Sequence, residues 1–253
     1  MVYVLNQNGQ PIMPTENHAK VRILLKQNKA KVVTRCPFTI QLLYSSTNYT
    51  QPMSLGVDAG SKHIGVSVTT ETKVMYEADV TLIKRGMVFR DAAFMGIMRW
   101  AFYNELKNRH PDVSLTYGYI TKNTRIENGL SKEHFIDARC ISGNPKAVSD
   151  GIVYYQKKVR CHNRQIHKLS ILKGGVRKLN QAPYMVKGFR LYDRVKYKEQ
   201  ECFVFGRRST GYFDLRLLDG TKIHNSASYK GLKLLEPRKF YLIERRMGCS
   251  SHD

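Results

Sequence analysis

Three strand-length segments follow one another between residues 54 and 82, separated by short polar turns. Residues 54–60 are apolar up to Asp58, which is followed by a glycine turn, and residues 63–70 alternate apolar and polar side chains. Residues 73–82 form the third segment. A period of two is typical of strands, and short turns join strands that pair antiparallel. The sequence therefore predicts a three-stranded antiparallel meander.

Helical and extended segments follow the meander. Residues 89–108 have helical periodicity, with a broad apolar face that includes Phe94, Ile97 and Phe102. Residues 114–120 are predicted to form a strand, and Ser131 to cap a helix that runs to about residue 140. Strands followed by helix, strand and helix indicate an α/β fold.

Residues 1–44 predict a small α+β unit, joined to the meander by a polar linker at 45–52. Asn8-Gly9 is typical of a tight turn, and residues 11–14, bounded by prolines, predict a rigid extended link. Residues 18–28 predict a helix with an apolar face. The strands expected here are 2–5, 31–34 and 38–44.

The C-terminal part combines a basic, irregular segment at 146–188 with a strand-rich region at 189–253. Short strands are expected at 195–197, 202–206, 212–218 and 221–224. Several short strands with glycine turns in about 55 residues are typical of a small β-barrel.

Charge points to a polyanionic partner. The chain has 42 Lys and Arg against 20 Asp and Glu, a formal charge of +22. Residues 146–253 carry +15 of it, and residues 157–178 hold eight basic side chains and no acid. Nucleic acid is the first candidate partner and an anionic membrane the second. We expect no membrane association, because no apolar run is long enough to span a bilayer, and we see no secretory signal. Five scattered cysteines without a CxxC pair indicate reduced thiols in a cytoplasm.

Asp58, His134 and Asp137 are candidate chemical groups. A carboxylate at a strand end, followed by glycine, suits a metal ion. On composition alone, an acid that ends the strand and caps a turn is the simpler explanation of Asp58. His134 and Asp137 share one face of a predicted helix. Together with Asp58 they could bind Mg²⁺ or Mn²⁺ and activate water; the alternative is an acid in a helix first turn beside an exposed histidine.

Cys161, His162 and His167 invite a zinc interpretation. No fourth ligand is near, and the surrounding basic residues repel a cation. We therefore expect no zinc site here, and contact with RNA is the preferred interpretation.

Several motifs, in order, resemble the IscB family of transposon-encoded RNA-guided nucleases. Residues 3–5, the Pro-Ile-Met-Pro at 11–14 and residues 21–26 resemble its N-terminal PLMP domain, although Ile12 replaces the motif's leucine. Residues 56–65 resemble the first RuvC motif. Residues 117–125 and 134–141 resemble the third.

The resemblance implies an RNase H-like (RuvC) core, preceded by a small α+β PLMP domain and followed by a small SH3-like β-barrel. The implied boundaries are 1–52 for the PLMP domain, 53–145 for the RuvC-like domain, 146–188 for a basic RNA-binding segment and 189–253 for the barrel. Asp58, His134 and Asp137 fall on catalytic positions, with Asp58 and Asp137 as ligands of Mg²⁺ or Mn²⁺. The implied partners are one guide RNA per protein and target DNA, in a prokaryotic cytoplasm at the nucleoid.

The chain also departs from the family. It is internally shortened: it has no arginine-rich bridge helix, no second RuvC motif with its glutamate and no HNH domain. Without the fourth strand of an RNase H sheet, the first strand must either keep an exposed edge or pair with residues 114–120. The missing glutamate of the second RuvC motif is a metal ligand in the family, and losing such a ligand commonly lowers the cleavage rate by orders of magnitude.

Three functions follow as hypotheses. The first is a guide-RNA-binding protein that engages target DNA but cleaves little or not at all; the second is an active RuvC endonuclease that nicks one strand; the third is a basic RNA-binding accessory module of a transposon. The residues expected to contact nucleic acid are Arg22, Lys26, Lys157, Lys158, Arg160, Arg164, Lys168, Lys173, Arg177, Lys178, Arg207 and Arg208.

Overall fold

A computed structural model describes residues 1–82, 89–159, 169–171, 177–179 and 183–248. For residues 89–93 and for the two short strands at 169–171 and 177–179 it describes the backbone alone. The protein is mixed α/β, and it divides into two compact units, Met1–Lys157 with Ile243–Asp253 and Lys158–Leu242.

Four helices lie in the described residues: α1 (His18–Lys26), α2 (Phe89–Arg109), α3 (Gly118–Glu127) and α4 (His134–Ile141). The strands of the first unit are β1 (Val2–Leu5), β2 (Pro11–Thr15), β3 (Ala30–Arg35), β4 (Phe38–Leu42), β5 (Ser54–Ala59), β6 (His63–Thr69), β7 (Val74–Thr81) and β8 (Ile152–Lys158). The later strands are β9 (Leu169–Ile171), β10 (Arg177–Leu179), β11 (Met185–Val186), β12 (Phe189–Arg190), β13 (Arg194–Tyr197), β14 (Gln200–Arg207), β15 (Tyr212–Arg216), β16 (Lys222–Ser228), β17 (Leu232–Glu236) and β18 (Tyr241–Met247).

The N-terminal segment forms a four-stranded sheet in the order β2-β1-β4-β3. Helix α1 begins where the Asn17 side chain accepts a hydrogen bond from the amide of Lys20, and its residue Val21 is buried in the core with Val2 and Ile40. Residues 11–14 are extended as predicted, but they are not a link. Those residues belong to β2, which pairs antiparallel with β1, and an edge strand tolerates prolines.

The predicted meander is confirmed. Strands β5, β6 and β7 pair antiparallel in sequence, and the sheet continues in the order β18-β8-β7-β6-β5. Strand β8, which runs parallel to β7, lies in the segment predicted to be irregular. Strand β5 forms the sheet edge among the described residues, so the alternative in which residues 114–120 pair with it is wrong.

Residues 114–120 are not a strand. Helix α3 begins at Gly118, and the preceding residues have no regular structure. The hydroxyls of Thr121 and Thr124 donate to the carbonyls of Tyr117 and Ile120, four residues earlier, which accommodates these β-branched residues in a helix.

Two helix predictions need correction. Helix α4 begins at His134 rather than after Ser131, because the N-cap position belongs to Glu133, whose backbone is extended. Helix α2 forms where predicted, but its apolar face is exposed: Phe94, Ile97 and Phe102 are each more than half exposed. No described helix is long and apolar enough to cross a bilayer.

The second unit is built on an antiparallel sheet in the order β16-β15-β14-β13-β17. The predicted strands at 195–197, 202–206, 212–218 and 221–224 overlap β13 to β16. Strand β17 follows a 3-10 turn and returns to pair with β13. Val195, Val204, Phe213 and Leu215 form the centre of its core.

Candidate nucleic-acid-processing site

One face of the meander carries two rows of polar side chains. The register places Asp58 opposite Gly65, and Gly65 opposite Asp79. Residues directly opposite one another in an antiparallel sheet project from the same face. Asp58 and Asp79 therefore share that face, separated by a glycine, and the next row contains Glu77.

The two glycines in these rows let α4 lie directly on the sheet. A Cβ atom at Gly65 would lie 1.8 Å from the carbonyl oxygen of His134, and one at Gly56 would lie 1.8 Å from that of Ala138. Only residues without a side chain permit this approach of a helix backbone. The close approach brings His134, the first residue of α4, beside Asp58.

Asp58 and His134 form a hydrogen bond. His134 Nδ1 lies 2.8 Å from Asp58 Oδ2, and both side chains are partly exposed. The structure thus brings together two predicted catalytic residues that are 76 positions apart in the chain.

Asp137, the third predicted residue, pairs with Arg125 of α3. Arg125 Nε lies 2.9 Å from Asp137 Oδ1. Burial raises the pKa of Asp137, Arg125 opposes that rise, and the negative charge of Asp58 adds to it. All three predicted residues therefore lie in one electrostatic neighbourhood, although Asp137 is engaged by an internal cation.

A second histidine–aspartate pair, absent from the sequence prediction, adjoins the first. His63 Nδ1 lies 3.1 Å from Asp79 Oδ1. The rings of His63 and His134 are stacked, with centroids 5.3 Å apart and planes 3° apart. Sixteen residues separate His63 from Asp79, so only the strand register could have revealed this pair.

Glu77 is buried beneath α4 and bound on both carboxylate oxygens. Arg139 Nε donates to Oε1 at 2.7 Å, and the Ser149 hydroxyl donates to Oε2 at 3.1 Å. Burial raises the pKa of Glu77, and Arg139 opposes that rise. These contacts tie α4 to β7, so Glu77 is a structural anchor.

The carboxylates do not fit a pair of Mg²⁺ or Mn²⁺ ions. Such hard cations need several free oxygen ligands, and a two-metal site needs carboxylates that bridge the ions. Asp58 and Asp137 are bound to His134 and Arg125, and no three Asp, Glu, His or Cys side chains in the described residues are arranged to hold a metal ion.

The residues predicted to contact nucleic acid lie in both units. Arg22 and Lys26 are exposed on α1, and Lys158 is exposed at the end of β8, where Lys157 is half-buried. Arg177 and Lys178 lie in β10, where only the backbone is described. The other predicted contact residues of this segment lie outside the described residues: Arg160, Arg164, Lys168 and Lys173. The same holds for Cys161, His162 and His167.

Arg207 ends β14, Arg208 follows it, and the two differ in environment. Arg208 is exposed and donates to the Ser226 hydroxyl, whereas half-buried Arg207 donates from Nε to the carbonyl of Pro183 at 2.7 Å. Burial lowers the pKa of Arg207, and Arg238 lowers it further.

An arginine–tyrosine cluster in the second unit escaped the residue predictions. Arg238 lies over the ring of Tyr184, 5.1 Å from its centroid, and Arg190 hydrogen-bonds to the same tyrosine. Buried Asp193 accepts hydrogen bonds from the backbone amides of Arg190 and Arg238 and holds the two segments together. The alternation of aromatic and basic residues in this region was the signal that could have identified it.

The N-terminal part of the chain matches a known protein family. Residues 2–92 match the family model described as RRXRR protein, which covers a little over one third of the chain. The family is found in IscB-type nucleases. The match includes Asp58, His63 and Asp79 and ends before His134 and Asp137. No curated protein matches the chain.

Proposed function

We propose that this chain is an RNA-guided DNA-binding protein of the IscB type. It holds one guide RNA, engages target DNA through that RNA, and cleaves little or not at all. Base pairing reads the target sequence in such a system, while the protein contacts the backbone and a short adjacent motif.

The observation that carries the proposal is the convergence of Asp58, His134 and Asp137. The IscB resemblance selected these residues from two separate motifs, and α4 places them around one end of β5. A core of the RuvC type accounts for this convergence. The match of residues 2–92 to a family found in IscB-type nucleases supports the same origin.

Weak cleavage follows from the contacts that these acids already make. A divalent cation that binds both carboxylates must compete with His134 at Asp58 and with Arg125 at Asp137. Glu77 is unsuitable as a replacement ligand, because Arg139 and Ser149 occupy its oxygens.

Nucleic-acid binding rests on charge and on the second unit. The formal charge of +22 favours polyanions whatever the family. Strands β13 to β16 form a meander, and β17 returns to pair with β13. This arrangement fits the SH3-like barrel that the resemblance implies. Arg190, Arg208 and Arg238 supply cationic groups there, and Tyr184 supplies an aromatic ring for stacking.

A nicking and binding experiment tests the proposal. The protein, loaded with the structured RNA encoded beside its gene, is incubated with supercoiled target DNA and Mg²⁺ or Mn²⁺. We expect guide-dependent DNA binding, one protein per RNA, and no nicking above that of Asp58→Ala. Metal-dependent nicking that Asp58→Ala abolishes would replace the proposal with an active endonuclease. Binding of RNA without any guide-dependent DNA binding would instead indicate an accessory module.

A further inference from the structure

We propose that Arg190, Arg207 and Arg238 together bind the terminal phosphate of a nucleic-acid strand. The inference rests on the proposed function for the class of its ligand, and it specifies which part of a nucleic acid the second unit recognises. A terminal phosphate is a monoester with a charge of about −1.5 to −2 near neutral pH. A phosphate within the strand is a diester with a single negative charge.

Two of the guanidinium groups converge on one atom, and the third lies beside them. Arg238 Nη2 donates to the Tyr184 hydroxyl at 3.2 Å, and Arg190 hydrogen-bonds to the same hydroxyl. Arg207 donates from Nε to the carbonyl of Pro183, the residue before Tyr184, at 2.7 Å. Burial lowers the pKa of Arg207 and the charge of Arg238 lowers it further, which places these two cations close enough to repel one another.

The cluster carries more positive charge than the acids around it compensate. Asp193 is the acid that the structure pairs with it, and its buried carboxylate also accepts the backbone amides of Arg190 and Arg238. Glu236, two residues before Arg238, forms an ion pair of its own. Residues 151–192 contain no Asp or Glu. Three arginines and one aspartate leave two positive charges, which a monoester dianion matches and a diester does not.

The cluster is accessible, and the protein holds it in place. The side chain of Arg190 is 26% exposed and Tyr184 is 45% exposed, so a strand end can reach them. Asp193 fixes the two backbone segments that carry Arg190 and Arg238. Guanidinium groups are planar donors that match phosphate oxygens in pairs. The exposed part of the Tyr184 ring offers a surface on which the terminal base can stack.

Competition binding on the full chain tests the site. Short single-stranded RNAs of one sequence, with a 5′-phosphate, a 3′-phosphate or no terminal phosphate, compete with an internally labelled RNA in a fluorescence anisotropy assay. We expect one phosphorylated form to bind at least about tenfold more tightly than the unphosphorylated RNA, because a hydrogen bond between charged groups contributes about this factor. The form that is preferred identifies which end of the strand is bound.

Substitutions separate this site from the general attraction of a basic protein. Arg190→Gln and Arg238→Gln should each remove most of the preference, while unphosphorylated RNA still binds. Arg208→Ala is the matched control, because Arg208 is exposed and follows Arg207 in the chain. It should weaken binding of all three RNAs alike and leave the preference unchanged. Circular dichroism identifies variants that do not fold, and for these Arg238→Lys, which keeps the charge but loses the planar donors, should also reduce the preference.

Two results would overturn the site. One is equal binding of the three RNAs by the wild type, which would assign the arginines to phosphates within the strand. The other is a preference that survives both Arg190→Gln and Arg238→Gln in folded protein. Guide-dependent DNA binding is measured separately. RNA binding without an end preference overturns this inference alone, whereas an end preference without guide-dependent DNA binding overturns the proposed function alone.

Discussion

Replacing Arg139 with methionine would leave the Glu77 carboxylate buried without its cationic partner. Arg139 Nε and Glu77 Oε1 are 2.7 Å apart, and both side chains are at least nine-tenths buried. Removing one member of a buried ion pair typically costs about 3–5 kcal/mol of unfolding free energy. We expect a loss in that range at about pH 8, measured by urea denaturation. Since Arg139 lies on α4, the change should also loosen the contact between His134 and Asp58.

The loss should depend on pH in a defined direction. Burial raises the pKa of Glu77 and Arg139 opposes that rise, so Arg139→Met raises the pKa further. An acid whose pKa is higher in the folded than in the unfolded protein contributes stability that is fully present below the unfolded pKa. That stability is lost as pH rises through the folded pKa. Arg139→Met should therefore differ least from the wild type near pH 5 and most near pH 8.

A second substitution isolates the buried charge as the cause. Glu77→Gln combined with Arg139→Met removes both charges, so the double variant should recover part of the stability and lose the extra pH dependence. Arg109→Met, which breaks the exposed pair with Glu105, is the matched control and should cost less than about 1 kcal/mol. A loss below about 1 kcal/mol for Arg139→Met at both pH values would refute this account of how α4 is anchored.

Two further predictions concern packing and binding. Gly65→Ala should lower the unfolding free energy by about 3 kcal/mol or more, because its Cβ would meet the carbonyl of His134. Gly118→Ala is the control and should be nearly neutral, because there is open space around Gly118. Equal effects of the two variants on the melting temperature would contradict the packing argument. RNA affinity should fall linearly with salt on logarithmic axes, and Arg208→Ala should reduce the slope by about one phosphate contact; a flat salt response would contradict an electrostatic interface.

Local sequence patterns correctly predicted those elements that pack against their neighbours in the chain. The alternation through 54–82 gave the meander and placed Asp58 near a strand end, because three neighbouring strands need only short turns. The apolar face of α1 was predictable for the same reason, since Val21, Leu24 and Leu25 pack on an adjacent sheet.

Non-local pairing explains most of the errors. Strand β8 lies in a lysine-rich segment, yet Val153 and Tyr154 are buried because the segment adds to β7, some 75 residues earlier. Helix α3 contains β-branched residues that favour strands, but hydroxyl back-bonding and packing against α4 stabilise the helix. Local sequence propensity reflects neither the pairing of distant strands nor the packing of one helix on another.

The four carboxylates on the α4 side of the meander have one property in common, which bears on the whole proposal. Asp58 and Asp79 each face a histidine, and Asp137 and Glu77 each face an arginine. Acids gathered around a site usually repel one another unless a metal ion or an internal cation compensates their charge. Here Arg125 and Arg139 compensate two of the acids, and the other two share hydrogen bonds with His134 and His63. This arrangement can therefore fold without a metal ion. Any oxygen-seeking cation must first compete with groups already in place, which is why we expect nucleic-acid binding to outlast cleavage in this chain.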